Sequence, residues 1–240
     1  MPRYFIEVSY KGTNYSGFQI QCNANSIQAE IEKALAIFYK SKFVLTGSSR
    51  TDRGVHAFQN YFHFDTGLTL NDDVYNLNAI LPNDIVIKRI FCVNEVAHCR
   101  FDAKSREYHY IIYRQKDPFL EDRAYYYPYS LDFKILQQAA KEIMSYTDFA
   151  SFSKRNTQVK SFLCKVYISE WGQENGCLIY KIKSNRFLRG MVKGLVGTML
   201  QTGRNKISIE EFKSIIEGKD CMKVDFSVPP EGLFLHKVEF

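Results

Sequence analysis

The chain has no stretch approaching the ~18 uncharged apolar residues of a membrane span, no C-x-x-C pair, and no excess of Gly or Pro. Thirteen Gly and six Pro in 240 residues exclude collagen-like or low-complexity character. Glu7 interrupts the N-terminus before the apolar core of a signal peptide develops, so a cytoplasmic setting is expected. The six cysteines (Cys22, Cys92, Cys99, Cys164, Cys177 and Cys221) are scattered, and a chain of this length needs no disulfide staples. His98-Cys99 with Cys92 comes nearest to a ligand cluster. Adjacent residues of a strand point to opposite faces, however, and no metal is expected.

What is present is ordinary for a protein with a full core: 45% hydrophobic, 15% aromatic and 24% charged residues. At roughly 150 residues per domain, the length corresponds to one or two domains. The net charge of +6 hints weakly at a polyanionic partner, but it is unevenly spread. Lys181–Lys206 carries +7 with no acid, Ser153–Lys165 carries +4 with none, and Ile207–Phe240 carries −3.

Alternation predicts strands over Arg3–Tyr10, Phe43–Thr46, Phe58–Asp65, Ile85–Val93, Arg106–Arg114 and Leu233–Phe240. A hairpin is expected from Ser161–Trp171 and Cys177–Ser184 around Gly172–Gly176. Helices are expected after Ser26, over Asp72–Leu81, after Asp132, over Phe187–Thr202 and after Ser208, where Glu211 completes a capping box. This order lacks strict βαβ alternation and predicts an α+β protein with a largely antiparallel, mixed sheet. Two α+β halves are expected, residues 1–116 and 117–240, with the seam in Asp117–Ser130. Tyr125-Tyr126-Tyr127 reads as an aromatic strand or interface, or as stacking faces for bases.

Ser49-Arg50-Thr51-Asp52-Arg53-Gly54-Val55-His56-Ala57 is the most unusual segment, with three charges and a histidine in a loop between aromatic strands. In extended backbone Arg50 and Asp52 lie on one side, close enough to pair. Pairing would keep Asp52 ionised, as a nucleophile or general base requires, and Gly54 permits a bend just after it. The same residues also suit an ordinary turn with a surface ion pair. In a helix over Phe187–Thr202, Arg186, Arg189, Gly190, Lys193 and Gly197 are expected on one face. Glycines there admit a phosphate backbone or serve helix packing.

The loop resembles the Gly-Arg-Thr-Asp-Ala-Gly-Val-His motif of the tRNA pseudouridine synthase A family. Tyr10–Gln19, Asn78–Ile85, His98–Ala103, Arg106–Tyr110, Phe187–Gly197 and Glu231–Leu235 resemble further motifs of that family in order, over nearly the whole chain. The resemblance implies a pseudouridine synthase fold and isomerisation of uridine to pseudouridine at positions 38 to 40 of the tRNA anticodon arm. It also implies a homodimer with a basic cleft, and no cofactor or metal.

Asp52 is thereby the essential carboxylate, attacking ribose C1′ or uracil C6 or assisting a glycal route. By the same resemblance Tyr108 is expected to stack on the base, and Arg50 to pair with Asp52 and hold the flipped-out nucleotide. Lys193 aligns with a family arginine that contacts the carboxylate, and Leu233 is expected to wall the uracil pocket. Arg53, His56, Arg100, Arg186 and Arg189 complete the expected substrate contacts. The sequence departs from the family pattern at Phe18, Ser49, Arg53 and Lys193, where Trp, Gly, a small residue and Arg are usual. A catalytically idle RNA-binding protein, a synthase acting at another RNA position, and a glycosidase with Asp102 as its second acid are the alternatives.

Overall fold

Strand β1 (Arg3–Tyr10) is flanked on both edges, antiparallel to β3 (His56–Asp65) on one side and to β4 (Ile85–Val93) on the other. The computed structural model describes residues 1–70, 74–155 and 159–240. They form two compact units, Met1–Lys104 with Phe234–Phe240, and Ser105–Leu233. In the first unit, β2 (Thr46–Gly47) pairs antiparallel with β3 near its C-terminal end. The final strand β9 (Leu233–Glu239) pairs parallel with β3 near its start, at His56–Phe234.

Both faces of β1 are covered, so its alternation separates two cores rather than core from solvent. On one face Tyr4 stacks on Phe64, and Phe18 stacks on Phe62 at 4.3 Å. On the other, Phe5 packs against Tyr61, Phe91 and the C-terminal Phe240. Glu7 lies on that second face and is buried. Burial pushes its carboxyl up, but hydrogen bonds from Gln59, Arg89 and Tyr61 outweigh this and hold it below its ordinary value.

Helix α1 (Ile27–Tyr39) starts where Ser26 Oγ accepts from Ala29 N–H at 3.2 Å, and it buries Ile27, Ile31 and Leu35. Phe38, expected on that face, remains 37% exposed. Helix α2 (Tyr75–Ile80) is shorter than expected, and the start anticipated at Asp72 lies outside the described residues. It ends at Leu81, whose extended backbone suits a residue preceding proline.

The second unit is built on the antiparallel strands β5 (Ser105–Tyr113), β8 (Cys177–Ser184) and β7 (Val166–Glu174), with β6 (Tyr125–Tyr126) parallel to β5. The stretch expected as the seam thus carries a strand inside this unit. Helix α3 (Phe133–Ile143), capped by Asp132, buries Leu136, Ala139, Ala140 and Ile143, and Ser169 Oγ ties it to β7 by donating to Ala140 O. Helix α4 (Met191–Gly203) and helix α5 (Ile209–Glu217) complete the unit; α5 opens on the Ser208–Glu211 capping box.

The α+β class with largely antiparallel pairing agrees with the sequence expectation, but bounds differ: β2, expected over Phe43–Thr46, is Thr46–Gly47, β3 starts at His56 rather than Phe58, and β7 starts at Val166 rather than Ser161. Two further differences have a visible cause. The β7–β8 hairpin closes through Asn175-Gly176 alone, not through Gly172–Gly176. Both turn residues have positive φ (50° and 78°), the geometry that matches strand twist. Helix α4 begins at Met191, not Phe187, because Gly190 takes φ +79° and breaks the helical path. No helix among the described residues is long and apolar enough to cross a membrane.

Candidate active site and nucleic-acid interface

After β2 the chain bends at Ser48 and Ser49 into a loop in which Ser49 and Thr51 are buried while Arg50 and Asp52 are exposed. Long-range contacts hold its backbone. Ser48 N–H donates to Tyr61 O (2.8 Å), Phe18 N–H donates to Thr51 O (3.1 Å), and Asn60 Nδ2 donates to Ser49 O (2.8 Å). Asn60 also donates to Tyr10 Oη, which bonds Thr51 Oγ1 at 2.8 Å. A fully buried amide in an aromatic strand is thus accounted for: it braces the loop.

Just past Asp52 the chain turns, with Val55 N–H donating to Asp52 O and Gly54 at φ +77°. The N-terminal segment clasps this turn closely. A Cβ on Gly12 would lie 2.0 Å from Val55 O, so only glycine fits there. His56, expected as a substrate contact, is 1% exposed and faces inward. Its Nδ1 accepts from Gly12 N–H at 2.9 Å and its ring packs on Phe234. Its burial gives it a supporting position beneath the loop.

Arg50 and Asp52 are both exposed, but the ion pair expected between them is absent: no ion pair or hydrogen bond joins them among the described residues. Arg50 instead lines a recess of about 180 Å³. Arg100, His98, Phe101, Phe18 and Gln28 also line it. Arg53 is exposed on the same loop. Ser49, the replacement for a family glycine, sits outside the left-handed region, so its backbone needs no glycine. Phe18 is buried over Gly47 and stacked on Phe62, a position filled by an apolar ring without an N–H donor.

In the second unit Tyr108 lies half-buried on β5, its ring edge-on to Phe187 at 4.9 Å. Phe187 is a support that motif reading alone did not single out. Lys193 is half-buried on the first turn of α4, and Leu233 is 7% exposed where β9 begins. The turn before Leu233 is fixed to β5: Tyr110 Oη donates to Pro229 O at 2.7 Å, and a Cβ on Gly232 would meet the Tyr110 ring.

The late start of α4 corrects the expected basic helical face. Arg186 and Arg189 lie in the approach to the helix, and only Lys193 projects from it. The helical glycines serve packing. A Cβ on Gly197 would lie 2.2 Å from Asp225 O, and one on Gly194 would meet Phe226 and Val224. The structure also joins two acid-free stretches that are far apart in sequence, since Lys154 N–H donates to Arg189 O at 3.0 Å. Asn156, part of the first stretch, lies outside the described residues.

An exposed carboxylate on a braced loop, with acid-free cationic stretches elsewhere in the same chain, is a combination suited to an enzyme that works on nucleic acid. A family model described as tRNA pseudouridine synthase matches residues 6–102 and 139–240. A protein of Parabacteroides distasonis named tRNA pseudouridine synthase A is 42% identical over 243 residues, spanning all of this chain and 96% of its own length. Proteins of the same name from Bacteroides fragilis and Staphylococcus aureus are 43% and 35% identical, covering 100% and 98% of this chain and 97% and 91% of their own. The chain belongs to the tRNA pseudouridine synthase family.

Proposed function

We propose that this protein converts uridine to pseudouridine at positions 38 to 40 of the tRNA anticodon arm, with Asp52 as the essential carboxylate. The reaction breaks the C1′–N1 bond, rejoins the ring through C5, removes the C5 proton and returns a proton to N1. Atoms and electrons balance without a redox partner or co-substrate.

The observation that carries this reading is the solvent-facing Asp52 side chain on a backbone fixed at Ser48, Ser49, Thr51 and Gly54. A carboxylate on such a support is pre-positioned, so little ordering entropy remains to be lost in the reaction. Paired target bases must leave the stack to be reached, and Tyr108, with an aromatic ring and a hydroxyl, is suited to stack on the extruded uracil and help take the C5 proton. Lys193, as a cation, and Leu233, as an apolar side chain, are the further residues that this reading assigns to the reaction. Arg53, Arg100, Arg186 and Arg189 supply phosphate contacts.

Release of tritium from C5-labelled uridine in tRNA tests the proposal directly. Stoichiometric release with mapped pseudouridine at positions 38 to 40 supports it; a protein that only binds RNA releases none. A cytoplasmic homodimer is the assembly this reading carries. Sedimentation at micromolar concentration is expected to give twice the 28.0 kDa chain mass, and the single mass would overturn that part.

A further inference from the structure

Phe101 is 74% exposed, although it sits in a loop whose every neighbour is tied down. His98 N–H donates to Asp102 Oδ2 at 2.7 Å, and His98 Nδ1 accepts from the N–H groups of Arg100 and Phe101. The His98 ring lies 4.2 Å from the Phe101 ring and edge-on to buried His63 at 4.5 Å. Beneath them the fully buried Cys99 bonds Thr46 O and His63 Nδ1. The loop therefore presents the Phe101 ring to water on a rigid mount. The Arg100 guanidinium stands 5.7 Å from that ring, and the Arg50 side chain lines the same recess.

We infer that this recess is a second nucleotide subsite, in which Phe101 stacks on an unpaired base next to the target uridine while Arg50 and Arg100 take its phosphates. An exposed aromatic ring beside one guanidinium, in a recess that a second arginine also lines, matches a nucleotide, with a flat apolar base and an anionic linker. The position fits a neighbour of the target. Arg50 and Asp52 are two residues apart and both exposed, so the chain itself keeps their Cα atoms within about 7 Å of one another. A strand with its reacting nucleotide at Asp52 would thus carry its next nucleotide to Arg50. The inference rests on the proposed function for what occupies the subsite.

The test compares wild type, Phe101→Ala, Phe101→Leu and Phe101→Trp in steady-state tritium release from tRNA. It adds 2-aminopurine fluorescence in anticodon stem-loop RNAs labelled at each nucleotide flanking the target. Phe101→Ala and Phe101→Leu are expected to raise KM about tenfold, within the range for loss of one stacked base, while kcat changes less than about twofold. Phe101→Trp restores KM. One label position is expected to be quenched on binding wild type and not on binding Phe101→Ala.

Wild-type kinetics in Phe101→Ala, or full rescue by the non-aromatic Phe101→Leu, would overturn the subsite. So would a change in sedimentation mass without a change in KM, which marks Phe101 as a protein contact. Failure of the functional reading looks different: no tritium is released by wild type, while Phe101-dependent quenching by RNA persists and supports the subsite alone.

Discussion

Asp52 and Arg50 are both exposed but are held by different means, and that separation gives each a task. Asp52 follows a braced Thr51 and precedes a glycine turn, whereas Arg50 reaches toward the recess beside Arg100. Tyr108→Phe is expected to lower turnover about a hundredfold, the scale of a lost proton-transfer group. Affinity for tRNA should change less than about threefold; equal losses in both would make Tyr108 a binding residue only. His63, beneath the 98–101 loop, carries a pH signature. Burial lowers its pKa from 6.5 to about 4, with His98 and Arg3 adding to the effect and Asp65 and Asp102 opposing it. The unfolded chain therefore takes up a proton before the folded one. Stability should be intact above about pH 6.5 and fall by roughly 3 kcal/mol as pH drops toward 4. Urea unfolding of wild type and His63→Gln at several pH values checks this: the variant should lack that slope, whatever its offset. The charged loop was legible in the sequence as a polar segment between aromatic strands, although the ion pair expected within it between Arg50 and Asp52 is absent among the described residues. The bracing of Asn60, Tyr10 and Gly12 was not, since those contacts span 41 to 50 residues and leave no local pattern.

At the scale of elements, close backbone approaches position the loop. Gly12→Ala would drive a methyl into Val55 O and should destabilise the protein by about 1–3 kcal/mol. It should lower turnover more than tRNA affinity, because the displaced backbone leads directly to Asp52. A variant with wild-type melting and turnover would show that the clasp is dispensable. Strands β1 and β4 matched their expected bounds because both alternate cleanly between turn residues. Helix α4 did not. Its apolar spacing continues back through Leu188, and the left-handed Gly190, close against the Lys154 side chain, interrupts the helix. In the β7–β8 hairpin, five consecutive polar or glycine residues concealed a two-residue Asn-Gly turn, so strand β7 extends three residues further than periodicity suggested. Gly194 and Gly197 carry their meaning only once Val224, Asp225 and Phe226 are seen against the helix.

Across the whole molecule the modest charge of +6 conceals strong local bias, +7 over Lys181–Lys206 alone. The Lys154–Arg189 junction makes that bias contiguous with the second acid-free stretch within one unit. Some of it is compensated, since Lys181 pairs with Glu174. Replacing Lys154 and Arg189 together with Ala is expected to reduce the slope of log affinity against log salt by about 1 to 2, as two phosphate contacts are lost. An unchanged slope would remove them from the RNA path. The central claim remains that one carboxylate does the chemistry, and Asp52→Asn measures it most directly. Side-chain volume and loop contacts are preserved while the charge is removed. Tritium release from C5-labelled tRNA is expected to fall below detection, with tRNA affinity within about threefold of wild type and an unchanged melting temperature. Retained turnover in that variant would contradict the assignment.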